Sequence, residues 1–271
     1  MDYNFHFQVL DIYQLKTSYE LCPHARFYVE AEVFLNATKE IDSFCDAEIY
    51  LCLPHVLRKQ DILRLTEIIQ SAAVHGILVR NAEELFWLCD NSSLIDGMNI
   101  VLDAGVLIFN SQAFEAIYET AGINIKEIFI NNELNEAEIK QLKKDLLNKY
   151  DLVFTNLIYG RLPMMISANC IKKTNDKCNK HTELVHIEDR YSKKLPVYSA
   201  CSFCYNVIYN SVPISLHSYL DRVLDDYSYG LVSFTDENDE MVKRIIEFFM
   251  SLKTDIPYKD YTTGHFKRGV E

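Results

Sequence analysis

Short apolar, β-branched and aromatic runs alternate with amphipathic helical stretches along this chain, and that alternation limits its possible folds more than any other feature. Residues 7–11, 27–33, 48–53, 77–80, 99–103, 127–130, 152–159 and 231–234 read as strands. Helical patterns fall at 13–20, 58–75, 82–89 and 112–120, the last ending before Gly122. In 58–75 the stripe is Ile62, Leu65 and Ile69, with Gly76 as its stop. The clearest helix opens at Asn135, an N-cap, with Glu138 three residues later completing a capping box and Ile139, Leu142 and Leu146 on its buried stripe. Another follows the eighth strand through Val242, Ile245, Phe249 and Leu252, with Asp236 or Asn238 as cap. Eight strands alternating with helices predict an α/β fold, a (β/α)8 TIM-type barrel in one domain over 1–271. An open doubly wound sheet is the alternative, but no G-x-G-x-x-G follows the first strand and no Walker A sequence is present.

The rhythm breaks once. Residues 160–230 are too long for a simple connection between strand and helix, so they are expected to form an insertion after strand seven. Within it, 184–187 and 195–198 predict a hairpin across 189–194, and 215–226 reads as helix. A loop after a barrel strand opens onto the C-terminal face, where barrel active sites lie. Residues 258–271 form a separate C-terminal tail.

With 49% apolar and 24% charged residues the composition is globular. No run approaches the ~20 apolar residues of a membrane helix, and Met1-Asp2-Tyr3-Asn4 carries neither a basic flank nor an apolar leader. A cytoplasmic protein without a membrane partner is expected. Eight cysteines in a reducing compartment are not expected to be a disulfide framework. Cys22, Cys45, Cys52 and Cys89 are scattered and read as packing. Cys52-x2-His55 is half a metal site that nothing nearby completes.

The remaining four cysteines fall as Cys170-x7-Cys178-x22-Cys201-x2-Cys204. Two sulfurs in a C-x2-C turn bind one centre together, and two more from upstream complete a four-thiolate site. Zinc and an iron–sulfur cluster both suit that donor set; unligated thiols are the bland reading. Between Arg161 and Cys204 eight basic residues outnumber four acidic ones, a local +4 in a chain of net −12. A basic island of this kind lowers thiol pKa values and receives anions. Neither H-E-x-x-H nor G-x-S-x-G occurs. Glu133, Asp103 and Glu32 lie near expected strand ends, where a barrel places functional carboxylates, although first-turn helix charge or a salt bridge explains such residues as well. His265 and Arg268 sit in a Gly-containing tail suited to fold over a site and contact an anion.

The stretch Tyr159-Gly160-Arg161-Leu162-Pro163-Met164-Met165, followed by Cys170, Cys178, Asp189-Arg190, Pro196-Val197, Cys201, Cys204 and Asn210-Ser211, resembles the U32 peptidase (collagenase-like) family. The ending Tyr261-Thr262-Thr263-Gly264-His265-Phe266-Lys267-Arg268-Gly269-Val270 is similar to that family's closing motif, and Val79-Arg80-Asn81, Leu102-Asp103, Phe109-Asn110 and Glu133-Leu134-Asn135 match more loosely. The resemblance covers roughly residues 75–271 and looks like the C-terminal barrel of long members or a short paralogue. The family's Leu-x-Ala-Pro-x-Gly strand and His-Gly-Ala cysteine segment are absent. The resemblance implies a barrel whose Cys170, Cys178, Cys201 and Cys204 hold a [4Fe–4S] cluster, with zinc as the alternative. It implies oxygen-independent hydroxylation of a tRNA or rRNA base or an aromatic metabolite, with an anionic oxygen donor such as prephenate. On this reading Arg161, His265 and Arg268 hold the anion, Asp103 contributes to substrate binding, and Glu133 orients substrate or moves a proton. A peptidase, as the family is named, and a non-catalytic subunit pairing with a partner U32 chain or barrel are the alternatives.

Overall fold

The computed structural model describes residues 5–174, 176, 178–251 and 255–269. Met1 to Asn4, Lys177, Leu252 and Val270 lie outside them. Seven parallel strands follow one another: β1 (Phe5–Val9), β2 (Arg26–Glu30), β3 (Glu48–Cys52), β4 (Gly76–Val79), β5 (Asn99–Leu102), β6 (Ile125–Phe129) and β7 (Val153–Gly160). Next come β8 (Pro163–Ser167), β9 (Glu183–Glu188), β10 (Lys194–Ala200) and β11 (Tyr205–Tyr209), an antiparallel sheet of order β8-β11-β10-β9. The two-residue β12 (Ile214–Ser215) pairs antiparallel with β7. Strand β13 (Ser228–Ser233) then pairs in parallel with both β7 and β1 and closes an eight-stranded barrel.

The helices between barrel strands are α1 (Ile12–Leu21), α2 (Ala31–Ile41), α3 (Ile62–Ser71), α4 (Ala82–Asp90), α5 (Ser111–Ala121) and α6 (Glu136–Leu147). Single turns α7 (Ile171–Thr174) and α8 (Leu220–Val223) follow, then α9 (Asp239–Ser251) after the closing strand. Several helices start on an Asp or Asn side chain that accepts an orphan backbone N–H: Asp11 from Gln14 (2.8 Å), Asn81 from Glu84 (3.0 Å) and Asn110 from Ala113 (2.9 Å). Asn135 and Glu138 complete the reciprocal capping box. Asn238 rather than Asp236 caps α9, accepting from Met241 N at 3.0 Å.

Strand alternation sorts side chains into two layers. Phe7, Val29, Leu51, Ile77, Ile100 and Ile128 face the helices, and Tyr28, Tyr50, Leu78, Val101, Phe129 and Leu231 fill the barrel interior. Below that fill lies a buried ionic plug. Glu127 accepts hydrogen bonds from Arg26, from Tyr28 Oη (2.7 Å) and from Thr155 Oγ1 (2.5 Å). His6 Nδ1 stands 3.7 Å from the same carboxylate, within ion-pair range but beyond a hydrogen bond. The Arg26 guanidinium also lies over the Tyr50 ring, 4.3 Å from its centroid.

The structure redraws three boundaries. The strand expected over 27–33 stops at Glu30, and Ala31 begins α2, a helix the apolar run had hidden. Gly76 does not end the helix over 58–75, which is shorter as α3; it opens β4, where a Cβ would sit 2.5 Å from Asn99 O and closer still to the Tyr50 ring. Residues 215–226 hold a 3₁₀ turn and one α turn rather than a helix, because Pro213 and Ile214 tie the chain to the tail and to β7 first. The expected hairpin is present: β9 and β10 pair antiparallel with Ile187 opposite Leu195. Among the described residues no helix is long and apolar enough to cross a membrane.

Candidate metal centre and barrel mouth

The C-x2-C motif is the four-residue loop of the β10–β11 hairpin, Cys201-Ser202-Phe203-Cys204. Phe203 is buried as its anchor, and Cys204 takes the left-handed conformation at φ 54°, uncommon for a residue with a Cβ. Cys170 begins the α7 turn, accepting from Thr174 N (3.0 Å). Asn206 of β11 binds Asn169 O (3.2 Å), which ties that segment to the hairpin. Lys172 donates to His181 O (2.6 Å), pairs with Glu183 (2.7 Å) and stands 3.7 Å from Cys201 Sγ.

All four cysteines line one cavity of about 650 Å³, together with Leu35, Arg64, Lys173, Lys180 and Tyr205. Cys170 and Cys201 are half-buried, Cys178 and Cys204 exposed. Burial pushes the Cys201 thiol up, and the Lys172 ammonium pulls it part of the way back. A tetrahedral zinc with bonds of ~2.3 Å needs its sulfurs roughly 3.8 Å apart. Among the described residues no three His, Cys, Asp or Glu side chains gather tightly enough for one metal ion. The four thiols share one cavity, with Lys172, Lys173, Lys180 and Arg64 beside them.

Segments following β2 and β3, helix α2 and the loop and helix α3, hold this hairpin. Glu32, 3% exposed in the first turn of α2, accepts from Ser202 N (3.1 and 3.2 Å), Ser202 Oγ (2.7 Å) and Thr182 Oγ1. Arg58 donates to the carbonyls of Phe203 and Cys204, the latter at 3.2 Å, and Arg64 to that of Ser202 at 2.9 Å. The cysteines thus stand at the C-terminal face of the barrel, above β2 and β3.

A second polar cluster fills the barrel mouth. Glu30 at the end of β2 and Arg80 just past β4 form a buried two-pronged ion pair, one bond measuring 2.7 Å, and Arg80 also donates to Leu53 O (2.9 Å). Tyr198, Tyr205 and Tyr209, from β10 and β11, are buried against it. The Tyr205 hydroxyl accepts from His55 N (3.3 Å), whereas that of Tyr198 has no hydrogen-bond partner among the described residues. Burial raises the Asp103 carboxyl and the nearby Arg80 charge lowers it again, with a net upward shift. Burial likewise lifts Glu84, which accepts from Arg80 N (2.7 Å), to about 8.

The other sequence candidates do not converge on the thiols. Asp103 belongs to the mouth, where its Oδ2 accepts from Gly105 N (3.2 Å). Glu133 is exposed on the loop after β6. Arg161 is committed to Asp236 (2.9 Å) and to the carbonyls of Asn210 and Ser211, and His186 contacts the same Asp236 at 3.1 Å. His265 and Arg268 are exposed; His265 Nδ1 closes a turn on Gly269 O (2.9 Å). The tail is strapped to β12 through Thr262 O and Ser215 N (2.8 Å), and to α6 through Phe266 O and Glu136 N (2.9 Å). Its described residues, 258–269, therefore cross the β6–β7 side of the mouth, opposite the cysteines. Glu30, Arg58, Arg64 and the three tyrosines escaped the sequence reading. Glu30 alone had a usable signal, a carboxylate at a strand end, and that was lost by extending the strand to Val33. Searches of protein-family models, curated proteins and solved structures found no match to this chain.

Proposed function

We propose that the segment 160–230 is a metal-binding insertion in which Cys170, Cys178, Cys201 and Cys204 hold a [4Fe–4S] cluster, and that the protein takes part in a U32-type, oxygen-independent hydroxylation of an RNA base or an aromatic metabolite. The observation that carries the reading is the shared cavity: four thiols from three separate stretches of chain face one space with Arg64, Lys173 and Lys180 beside them. A cluster bound by four thiolates is anionic, which suits those cations, and when bound it supplies one-electron transfer. Zinc is the alternative occupant. Tyr205 lines the cavity and is buried within electrostatic range of the Glu30–Arg80 pair, which relates the thiols to the barrel mouth. Asp103 lies in that mouth, its carboxyl raised by burial and partly lowered again by Arg80.

A second reading has an observation of its own. Three tyrosines roof the mouth and its Glu30 and Arg80 side chains are buried in a two-pronged pair with each other, as a non-catalytic subunit docking a partner barrel would tolerate. Anaerobic reconstitution with iron and sulfide decides the metal. Wild type is expected to take up both and to show the thiolate-to-iron absorbance, and Cys201→Ser to lose it. Tightly bound zinc without sulfide would sink the cluster. Mass spectrometry of tRNA and rRNA nucleosides from a deletion strain tests the reaction: a missing hydroxylated base supports the RNA substrate, and an unchanged profile removes it.

A further inference from the structure

The C-x2-C loop is held far more heavily than a hairpin turn requires. Ladder hydrogen bonds of β10 and β11 already define it, with Ala200 opposite Tyr205. Three charged side chains from the barrel nevertheless converge on its four residues. Below, the buried Glu32 carboxylate accepts the amide and hydroxyl of Ser202, the residue next to Cys201. Its other contact, Thr182 Oγ1, itself accepts from Cys201 N at 3.3 Å. Above, Arg58 and Arg64 take the carbonyls of Ser202, Phe203 and Cys204. A left-handed Cys204 persists only where its surroundings over-determine it.

Resting on the metal-site reading above, we infer that Glu32 is the positioning residue of the metal centre, fixing the Cys201–Cys204 thiol pair from the barrel and placing a negative charge beside the Cys201 sulfur. A loop fixed on both sides presents its two thiols in one geometry, so little ordering cost remains when metal enters. Second-sphere contacts of this kind typically change metal affinity ~10–100-fold. A buried carboxylate next to a ligand sulfur also disfavours adding an electron to the centre, so removing the charge raises the reduction potential.

The test uses the full chain with Glu32→Gln and Ser202→Ala. Each is titrated with zinc against a chromophoric chelator, reconstituted anaerobically with iron and sulfide, and melted without metal. The expected result for Glu32→Gln is ~10–100-fold weaker metal retention with a more positive potential for any cluster formed. Ser202→Ala, which keeps the charge, is expected to weaken retention while leaving the potential in place. A wild type that binds neither metal form overturns the metal-site reading and this inference with it. A wild type that binds, beside a Glu32→Gln protein of equal retention and unchanged potential, overturns the inference alone. If Glu32→Gln does not fold, Ser202→Ala decides: wild-type retention with only a lowered melt reduces the contact to a structural one.

Discussion

The ionic plug at the base of the barrel makes acid stability a quantitative test of this structure. Burial alone would raise the Glu127 carboxyl; His6, Arg26 and the Thr155 hydroxyl outweigh that effect and hold it down to about 2, against an ordinary 4.5. At roughly 1.4 kcal/mol per unit, that difference stabilises the fold by about 3 kcal/mol. The folded-state value lies below the unfolded one, so the contribution is complete above pH 4.5 and is lost as pH falls from 4.5 towards 2. Glu127→Gln removes it and leaves the half-buried Arg26 with Glu48 at 2.8 Å. Urea unfolding followed by circular dichroism at a series of pH values should place the variant about 3 kcal/mol below wild type at pH 7. The gap should close steadily below pH 4.5. A gap that stays constant from pH 7 to pH 2.5 would show that the carboxylate is not ionised in the folded barrel, and a variant as stable as wild type at pH 7 would show that the plug contributes nothing.

Two further substitutions probe the packing. Gly76→Ala drives a methyl group into Asn99 O and the Tyr50 ring, and should lower stability by about 1–3 kcal/mol in the same urea assay; no change would mean that β4 is free to move away from β3. Tyr198→Phe deletes a buried hydroxyl without a partner among the described residues and should be neutral or stabilising, whereas a loss above ~1 kcal/mol would reveal a partner for that oxygen.

Much of the barrel was legible because its strands are short and bounded by strong helix starts. Asn135 caps as its position suggests, and Asn81 and Asn110 cap the helices read over 82–89 and 112–120. Helix α2 was not, since Val29, Ala31 and Val33 continue a strand-like run and no Ser, Thr, Asp or Asn stands at its start; Glu30 occupies the cap and turns its carboxylate to Arg80 instead. The thiols were legible as a set because their spacing is local. Of their supports only Glu32 stood out, as a carboxylate near an expected strand end; Arg58 and Arg64 did not, because they meet the hairpin across more than a hundred residues of chain and a linear pattern carries no trace of that contact. Arg161 shows the converse: a basic residue in a basic stretch looks available for an anion, while the fold gives it to Asp236.

Closure of the barrel by β13 has a consequence for the order of assembly. Phe5 pairs with Gly230, so the first strand finds its second neighbour only when nearly the whole chain exists. Until then β1 and β7 are open margins, and their joining is the slow, long-range step expected of such a topology. The cysteine hairpin takes its three charged supports from early in the chain. Glu32, Arg58 and Arg64 all precede it on a growing chain, so its seat is complete while the ring is still a sheet.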